Sequence, residues 1–156
     1  MRLNLGCGSK KVEGFTGVDI KHADVVADIR HLPFDDDSAD EIMAIHVCEH
    51  FPVQEIVSVI KEWLRVLKPG GTMALELPCL DKVLWHFQNG SPENMTLWAL
   101  YGDPKTHADG FPAYHKWAWS LEQFKAMLEH AGAKDVTEET PHYHQPSRDM
   151  RFVCTK

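Results

Sequence analysis

A chain of 156 residues with 44% apolar and 25% charged side chains has the composition of one globular domain, long enough to bury a core without metal or disulfide staples. No apolar run approaches the roughly 18 residues that a membrane-spanning helix needs, which excludes a span. Sixteen basic against 23 acidic side chains give a formal charge of -7, which repels phosphate backbones and argues against general nucleic-acid binding.

Arg2 to Leu5 is a short apolar run halted by Gly6-Cys7-Gly8, and Thr16 to Ile20 is a second one that meets a polar stretch after Asp19. Both predict strands. Val25, Val26 and Ala27 within residues 24–29 predict a third buried strand. Leu32-Pro33-Phe34 with Asp35-Asp36-Asp37-Ser38 predicts a turn, and Ile42, Met43, Ala44 and Ile45 within residues 41–47 a fourth strand. From Val53 the period changes. Val53, Ile56, Val57, Ile60, Trp63, Leu64 and Leu67 recur at helical spacing, with Lys61, Glu62 and Arg65 on the other side. That helix is expected to stop at Lys68-Pro69-Gly70-Gly71, because proline cannot continue the hydrogen-bond ladder. Residues 72–77 predict a fifth strand, closed by Pro78.

Between Leu80 and Trp119 the periodicity weakens, yet this stretch holds eight of the fifteen aromatic residues: Trp85, Phe87, Trp98, Tyr101, Phe111, Tyr114, Trp117 and Trp119. Stretches this long inside one domain are functional lids or carry helices of their own. Ser120 with Gln123 forms a capping box for a helix whose apolar stripe is Leu121, Phe124, Met127, Leu128 and Ala131, ended by Gly132. Residues 135–138 and 151–155 predict two final strands. The order of elements indicates one α/β domain over residues 1–156, a mostly parallel sheet covered on both faces, with the aromatic stretch 80–119 as an insertion or lid.

Cys7, Cys48, Cys79 and Cys154 are scattered inside or beside apolar segments, as reduced buried thiols are. The chain opens directly into a strand-like run with no apolar signal core, so the expected compartment is the cytoplasm.

Gly6-Cys7-Gly8 directly after a buried strand is the place where an open α/β sheet binds a nucleotide-like ligand, because glycines let backbone amides approach it. Asp19, at the end of the next strand, suits both hydroxyls of a ribose. A tight turn and a solvated strand end are the alternatives. A dinucleotide fingerprint is disfavoured, since Lys11 stands at the third glycine position and Asp19 lies too near.

These segments together resemble class I S-adenosylmethionine-dependent methyltransferases, of the small type-11-like kind. The likeness runs through Leu3-Asn4-Leu5-Gly6-Cys7-Gly8, Gly17-Val18-Asp19, Asp28-Ile29 with Leu32-Pro33-Phe34, His46-Val47-Cys48-Glu49-His50, and Leu67-Lys68-Pro69-Gly70-Gly71. A further block, His115-Lys116-Trp117 leading through Ser120 to Gly132, looks like the penultimate-helix region of the same family. The resemblance implies a Rossmann-like seven-stranded sheet of order 3-2-1-4-5-7-6 with helices on both faces. It implies S-adenosylmethionine held by Asn4, Gly6, Cys7 and Gly8, with the ribose on Asp19 and Ile20, the adenine on Asp28 and the Ile29 backbone, and the methionine part near His46. Asn4 and Lys10 depart from the usual acid and third glycine, and only residues 9–15 remain for the first crossover, which predicts one turn or an irregular loop. The family's usual helix before the first strand is also missing, so one cofactor wall is expected to be open or supplied by a second chain, such as a homodimer partner.

His46-Val47-Cys48-Glu49-His50 matches the literal pattern H-x-x-E-H of one zinc peptidase group. That chemistry needs both histidines on one helical face, whereas Pro52 follows at once and predicts a strand-to-helix turn, so no metal is expected and a zinc hydrolase is a remote alternative. In such a turn Glu49 and His50 would face the crevice at the carboxyl end of the sheet. His50 and His115 are the candidate general bases for an acceptor hydroxyl, with Glu49 orienting a histidine; polar residues that only shape the turn are the alternative. His142 and His144 fall in a proline-bounded stretch and read as an exposed connection, and His22, His31, His86, His107 and His130 show no partner spacing. The expected activity is methyl transfer to a small-molecule or glycan-type acceptor at oxygen. The Asp/Asn-Pro-Pro-aromatic sequence of amino-methylating nucleic-acid enzymes is absent where Ala44-Ile45-His46-Val47 stands. A non-catalytic or partner-activating subunit is the second reading, suggested by the short first crossover.

Overall fold

Strands with apolar side chains at alternate positions must bury one face, and here seven of them do so in one sheet. The computed structural model describes residues 1–105 and 114–156. The elements are β1 (Arg2–Leu5), β2 (Thr16–Asp19), β3 (Val25–Val26), β4 (Ala39–Ile45), a 3₁₀ turn (Cys48–His50), α1 (Ile56–Val66), β5 (Leu67–Pro78), α2 (Leu80–Gln88), a second 3₁₀ turn (Glu93–Met95), α3 (Leu97–Tyr101), α4 (Leu121–Ala131), β6 (Lys134–Glu139) and β7 (Asp149–Thr155). Their order in the sheet is β3-β2-β1-β4-β5-β7-β6, as the family resemblance implied. β1 pairs in parallel with both β2 and β4, and β7 runs antiparallel between β5 and β6. The chain therefore leaves β1 in opposite senses on its two sides, which opens a crevice at the carboxyl ends of β1 and β4.

One sheet face carries Leu3, Leu5, Ile42, Ala44, Met73, Leu75 and Leu77 against Ile56, Ile60 and Trp63 of α1 and Phe124 and Leu128 of α4. Trp63 is fully buried, and its Nε1–H donates to the Ile29 carbonyl at 2.8 Å, tying the loop after β3 to this core. Successive strand residues point to opposite faces, so the other face carries Asn4, Met43, Ala74, Glu76 and Arg151. The connection between β6 and β7 covers it there: Tyr143 Oη reaches Met43 Sδ at 3.7 Å, and the amides of His142, Tyr143 and His144 all donate to the Glu76 carboxylate.

Several boundaries move. α1 starts at Ile56 rather than Val53, since Pro52 to Glu55 form the turn before it. β4 starts at Ala39, and β3 shrinks to Val25–Val26. Lys68-Pro69-Gly70-Gly71 ends no element: Leu67 already pairs with Ala39 and Thr72 with Glu41, so these four residues are an irregularity inside β5. Residues 6–15 contain turns and no helix, as their number requires. Within 80–119, α2 and α3 form and Trp119 returns to the sheet through a bridge with Cys79. His107 and Phe111 lie outside the described residues. All four cysteines are free thiols. Among the described residues no helix is long and apolar enough to cross a membrane.

Candidate functional site

The turn after β1 is shaped by two glycines with different duties. Both have positive φ, 65° at Gly6 and 56° at Gly8. A Cβ on Gly6 would stand 2.6 Å from Val47 Cγ2, so packing demands glycine there, whereas a Cβ on Gly8 would meet nothing within 4 Å. The open space at Gly8 lies beside Asp19, whose carboxylate accepts from the Gly8 amide at 2.8 Å and from the Ile20 amide at 2.7 Å. These bonds fix the carboxylate at the strand end and leave acceptor capacity for a diol. Asn4 is buried beneath the turn, and Ile20 is half exposed beside Asp19. Cys7 lies against Gly17, where a Cβ would come within 2.8 Å of its sulfur.

Asp28 is already engaged. Arg30 Nη2 donates to its Oδ2 at 2.7 Å, Arg30 Nε contacts both oxygens, and this pairing holds the carboxyl below its ordinary range. An adenine amino group would have to share Asp28 with Arg30. The Ile29 carbonyl is likewise taken by Trp63.

The other half of the site follows β4. His46 has φ 55°, a left-handed conformation that is strained for a side chain of this size, and its amide donates to the Glu76 carbonyl at 2.7 Å. This kink turns the ring inward. Nδ1 then stands 3.1 Å from Glu49 Oε1, Nε2 stands 3.4 Å from Asp149 Oδ2, and the ring packs on that of His144 with centroids 4.0 Å apart. Burial alone would lower the His46 pKa, but Glu49 and Asp149 outweigh it and hold the imidazole charged.

The expectation that Glu49 faces an open crevice is corrected: it is 2% exposed, and apart from its ion pair with His46 its carboxylate meets no hydrogen-bond donor among the described residues. The short 3₁₀ turn before Pro52 folds it inward. His50 is half buried, and its ring meets that of His115 edge to face at 5.0 Å. The segment after α3 delivers His115 because the Glu49 carbonyl accepts from the Lys116 amide at 2.7 Å. Desolvation pushes the His115 pKa down, the Glu49 charge opposing it. The turn after β4 thus brings together His46, Glu49, His50 and His115, which stand in two segments of the sequence.

Sequence reasoning missed the supports of this cluster. Asp149 is fully buried and paired with Arg148 at 2.7 Å, and Glu76 is fully buried beneath residues 142–144. An acid within an apolar strand run was the available signal at Glu76. His86, unassigned from sequence, is structural: its Nε2–H donates to the Ser147 carbonyl at 3.0 Å, and Nδ1 accepts from Ser91 Oγ at 2.7 Å. Of the insertion's aromatics, Trp119 is buried, while Trp85, Phe87, Tyr101, Tyr114 and Trp117 remain exposed.

Residues 3–75 match the family model described as a methyltransferase domain. Methyltransferase GfsG of Streptomyces halstedii is 34% identical over 119 residues, covering 74% of this chain and 37% of its own length. The ubiquinone/menaquinone biosynthesis C-methyltransferase UbiE of Bartonella quintana is 30% identical over 128 residues, covering 72% of this chain and 44% of its own. Sterol 24-C-methyltransferase of Yarrowia lipolytica is 28% identical, covering 95% of this chain and 37% of its own. The chain thus spans less than half the length of these curated relatives. Among solved structures, an SAM-dependent methyltransferase of Methanosarcina mazei superposes with a TM-score of 0.68 at 20% identity, over 99% of this chain and 91% of that one. One from Archaeoglobus fulgidus gives 0.67 at 19% identity, over 99% and 85%. At such identities the superpositions speak for the fold.

Proposed function

We propose that this chain, whose residues 3–75 match the methyltransferase-domain model and whose fold is that of S-adenosylmethionine-dependent methyltransferases, is a class I enzyme of that kind that uses S-adenosylmethionine to methylate oxygen of a small-molecule or glycan-type acceptor. The observation that carries this reading is the pairing of the open Gly8 turn with an Asp19 carboxylate fixed at the adjoining strand end. When bound, S-adenosylmethionine supplies an electrophilic methyl group. Asn4, Gly6, Cys7 and Gly8 line the amino-acid end, Asp19 with Ile20 takes the ribose, Asp28 and the Ile29 backbone flank the adenine, and His46 lies toward the methionine part.

In-line displacement leaves the protein to position the acceptor, exclude water and receive a proton. The described parts of the insertion, α2 and α3 with the exposed Trp85, Phe87, Tyr101, Tyr114 and Trp117, are our candidate lid over the acceptor. The Nε2 atoms of His50 and His115 are the proton acceptors, their rings oriented by the Tyr114 and Ala99 carbonyls, and the Glu49 carboxylate stabilises the imidazolium that forms. Carbon methylation is a second reading, favoured by the relatives named as C-methyltransferases; it too needs a proton removed. Ile20 and Val26, exposed beside the short first crossover, are where a second copy would complete the cofactor wall.

Calorimetry with S-adenosylmethionine is expected to show one site, and Asp19→Ala to weaken it roughly 10- to 100-fold through loss of bonds to a charged acceptor. No binding at millimolar concentration sinks the reading. Isotope-labelled methyl transfer into a panel of hydroxylated acceptors then reports the atom methylated; binding without turnover points to the non-catalytic subunit. Sedimentation showing only monomer with cofactor bound removes the second copy.

A further inference from the structure

The buried Glu49 carboxylate presents an imbalance of acceptors. Native folds give such a group donors or a cation; here His46 stands 3.1 Å away on one side, while His115 turns a lone pair toward the carboxylate. His50 donates Nδ1–H to the Tyr114 carbonyl at 3.2 Å, and His115 donates Nδ1–H to the Ala99 carbonyl at 2.9 Å. A carbonyl only accepts, so each neutral ring carries its proton on Nδ1 and an unshared pair on Nε2. In His115 that Nε2 lies 3.8 Å from Glu49 Oε1. One ligating atom from each of Glu49, His50 and His115 falls within 4.8 Å of the others. Around an ion with bonds of about 2.1 Å, ligand atoms stand ~3.4 Å apart in a tetrahedron and up to ~4.2 Å apart across an octahedron, so side-chain shifts of under about 1 Å close the set. A ring N–H tied to a backbone carbonyl is also the outer contact that orients metal-ligating histidines.

We propose that Glu49, His50 and His115 bind one first-row divalent cation of the zinc class, for which two imidazoles and a carboxylate are suitable donors. This is not the contiguous H-x-x-E-H arrangement. His46 stays outside the ligand set, held between Glu49 and Asp149, and the second imidazole comes from the far side of the insertion. Three protein ligands leave positions for water or an acceptor hydroxyl. If methyl transfer proceeds as proposed above, the ion lowers the pKa of that hydroxyl and the histidines act as ligands rather than bases; this consequence rests on that reading, and cation binding itself does not.

The test uses the full chain without an affinity tag, stripped with a chelator and free of S-adenosylmethionine. Titration with cobalt(II), followed by visible absorption, and with zinc, followed by calorimetry, is expected to saturate at one equivalent. Glu49→Gln and His115→Ala should each weaken zinc by about 10-fold or more, and His130→Ala, on the exposed side of α4, should not. Absence of both cobalt absorption and zinc heat at micromolar metal overturns the proposal, as does binding that neither variant changes. Should Glu49→Gln fail to fold by circular dichroism, His50→Ala on the half-exposed turn is held to the same criterion. Because the cofactor is left out, failure here leaves the methyl-transfer reading standing, and failure of cofactor binding leaves this one.

Discussion

Gly6 and Gly8 look alike in the sequence, two glycines around a cysteine, but their surroundings assign them different work. Gly6→Ala would combine a left-handed alanine with a clash against Val47, costing about 2–4 kcal/mol in urea unfolding. Gly8→Ala meets no neighbour, so only the backbone cost of about 1–2 kcal/mol is expected, together with a loss of cofactor affinity out of proportion to it. Equal stability losses in the two variants would refute this division. Glu76 offers a pH-dependent test. Burial alone would raise its pKa, but His144 and the amides of residues 142–144 bring it from 4.5 to about 2. The unfolded chain binds a proton more readily, so the stabilisation is fully present above the unfolded value and is lost as pH falls through the folded one. Glu76→Gln should cost about 2–3 kcal/mol near neutral pH. The gap to wild type should narrow on acidification from the ordinary carboxyl pKa downward, and a constant gap across that window would contradict the assignment.

At the scale of elements, α4 is the most locally specified piece. Its Ser120 Oγ accepts from the Gln123 amide at 3.2 Å, the bond the capping box anticipated, and its apolar stripe packs Phe124 and Leu128 into the core. Ser120→Ala should cost about 1 kcal/mol and lower Tm by roughly 2–4 °C, without changing cofactor affinity. The 3₁₀ turn Cys48–His50 is the opposite case. Its two polar residues could be read as facing a crevice, but Glu49 is turned inward because the strand ends in a left-handed His46 and Pro52 allows no longer helix. Local pattern could place the turn, and only its packing against residues 114–117 could orient it.

For the whole molecule, the central strands bury both faces while the β3 edge has only Val25–Val26 and the first crossover has no helix. Hydrogen exchange is therefore expected to be slowest in β1, β4, β5 and β7 and fast in residues 9–15, with cofactor slowing the Gly8 and Ile20 amides; uniform protection across β3 and β5 would refute it. The sequence by itself determined the strand order, α1, α4 and the glycine-acid pair, because periodicity, caps and turn residues act over a few positions and the family blocks stand in order along the chain. Only the tertiary structure decided that the sheet's second face is covered by residues 142–144 on Glu76 and that His115 joins Glu49 and His50. Those pairings span up to 68 positions, and at that separation contact is set by how strands and returning segments pack rather than by any spacing in the chain.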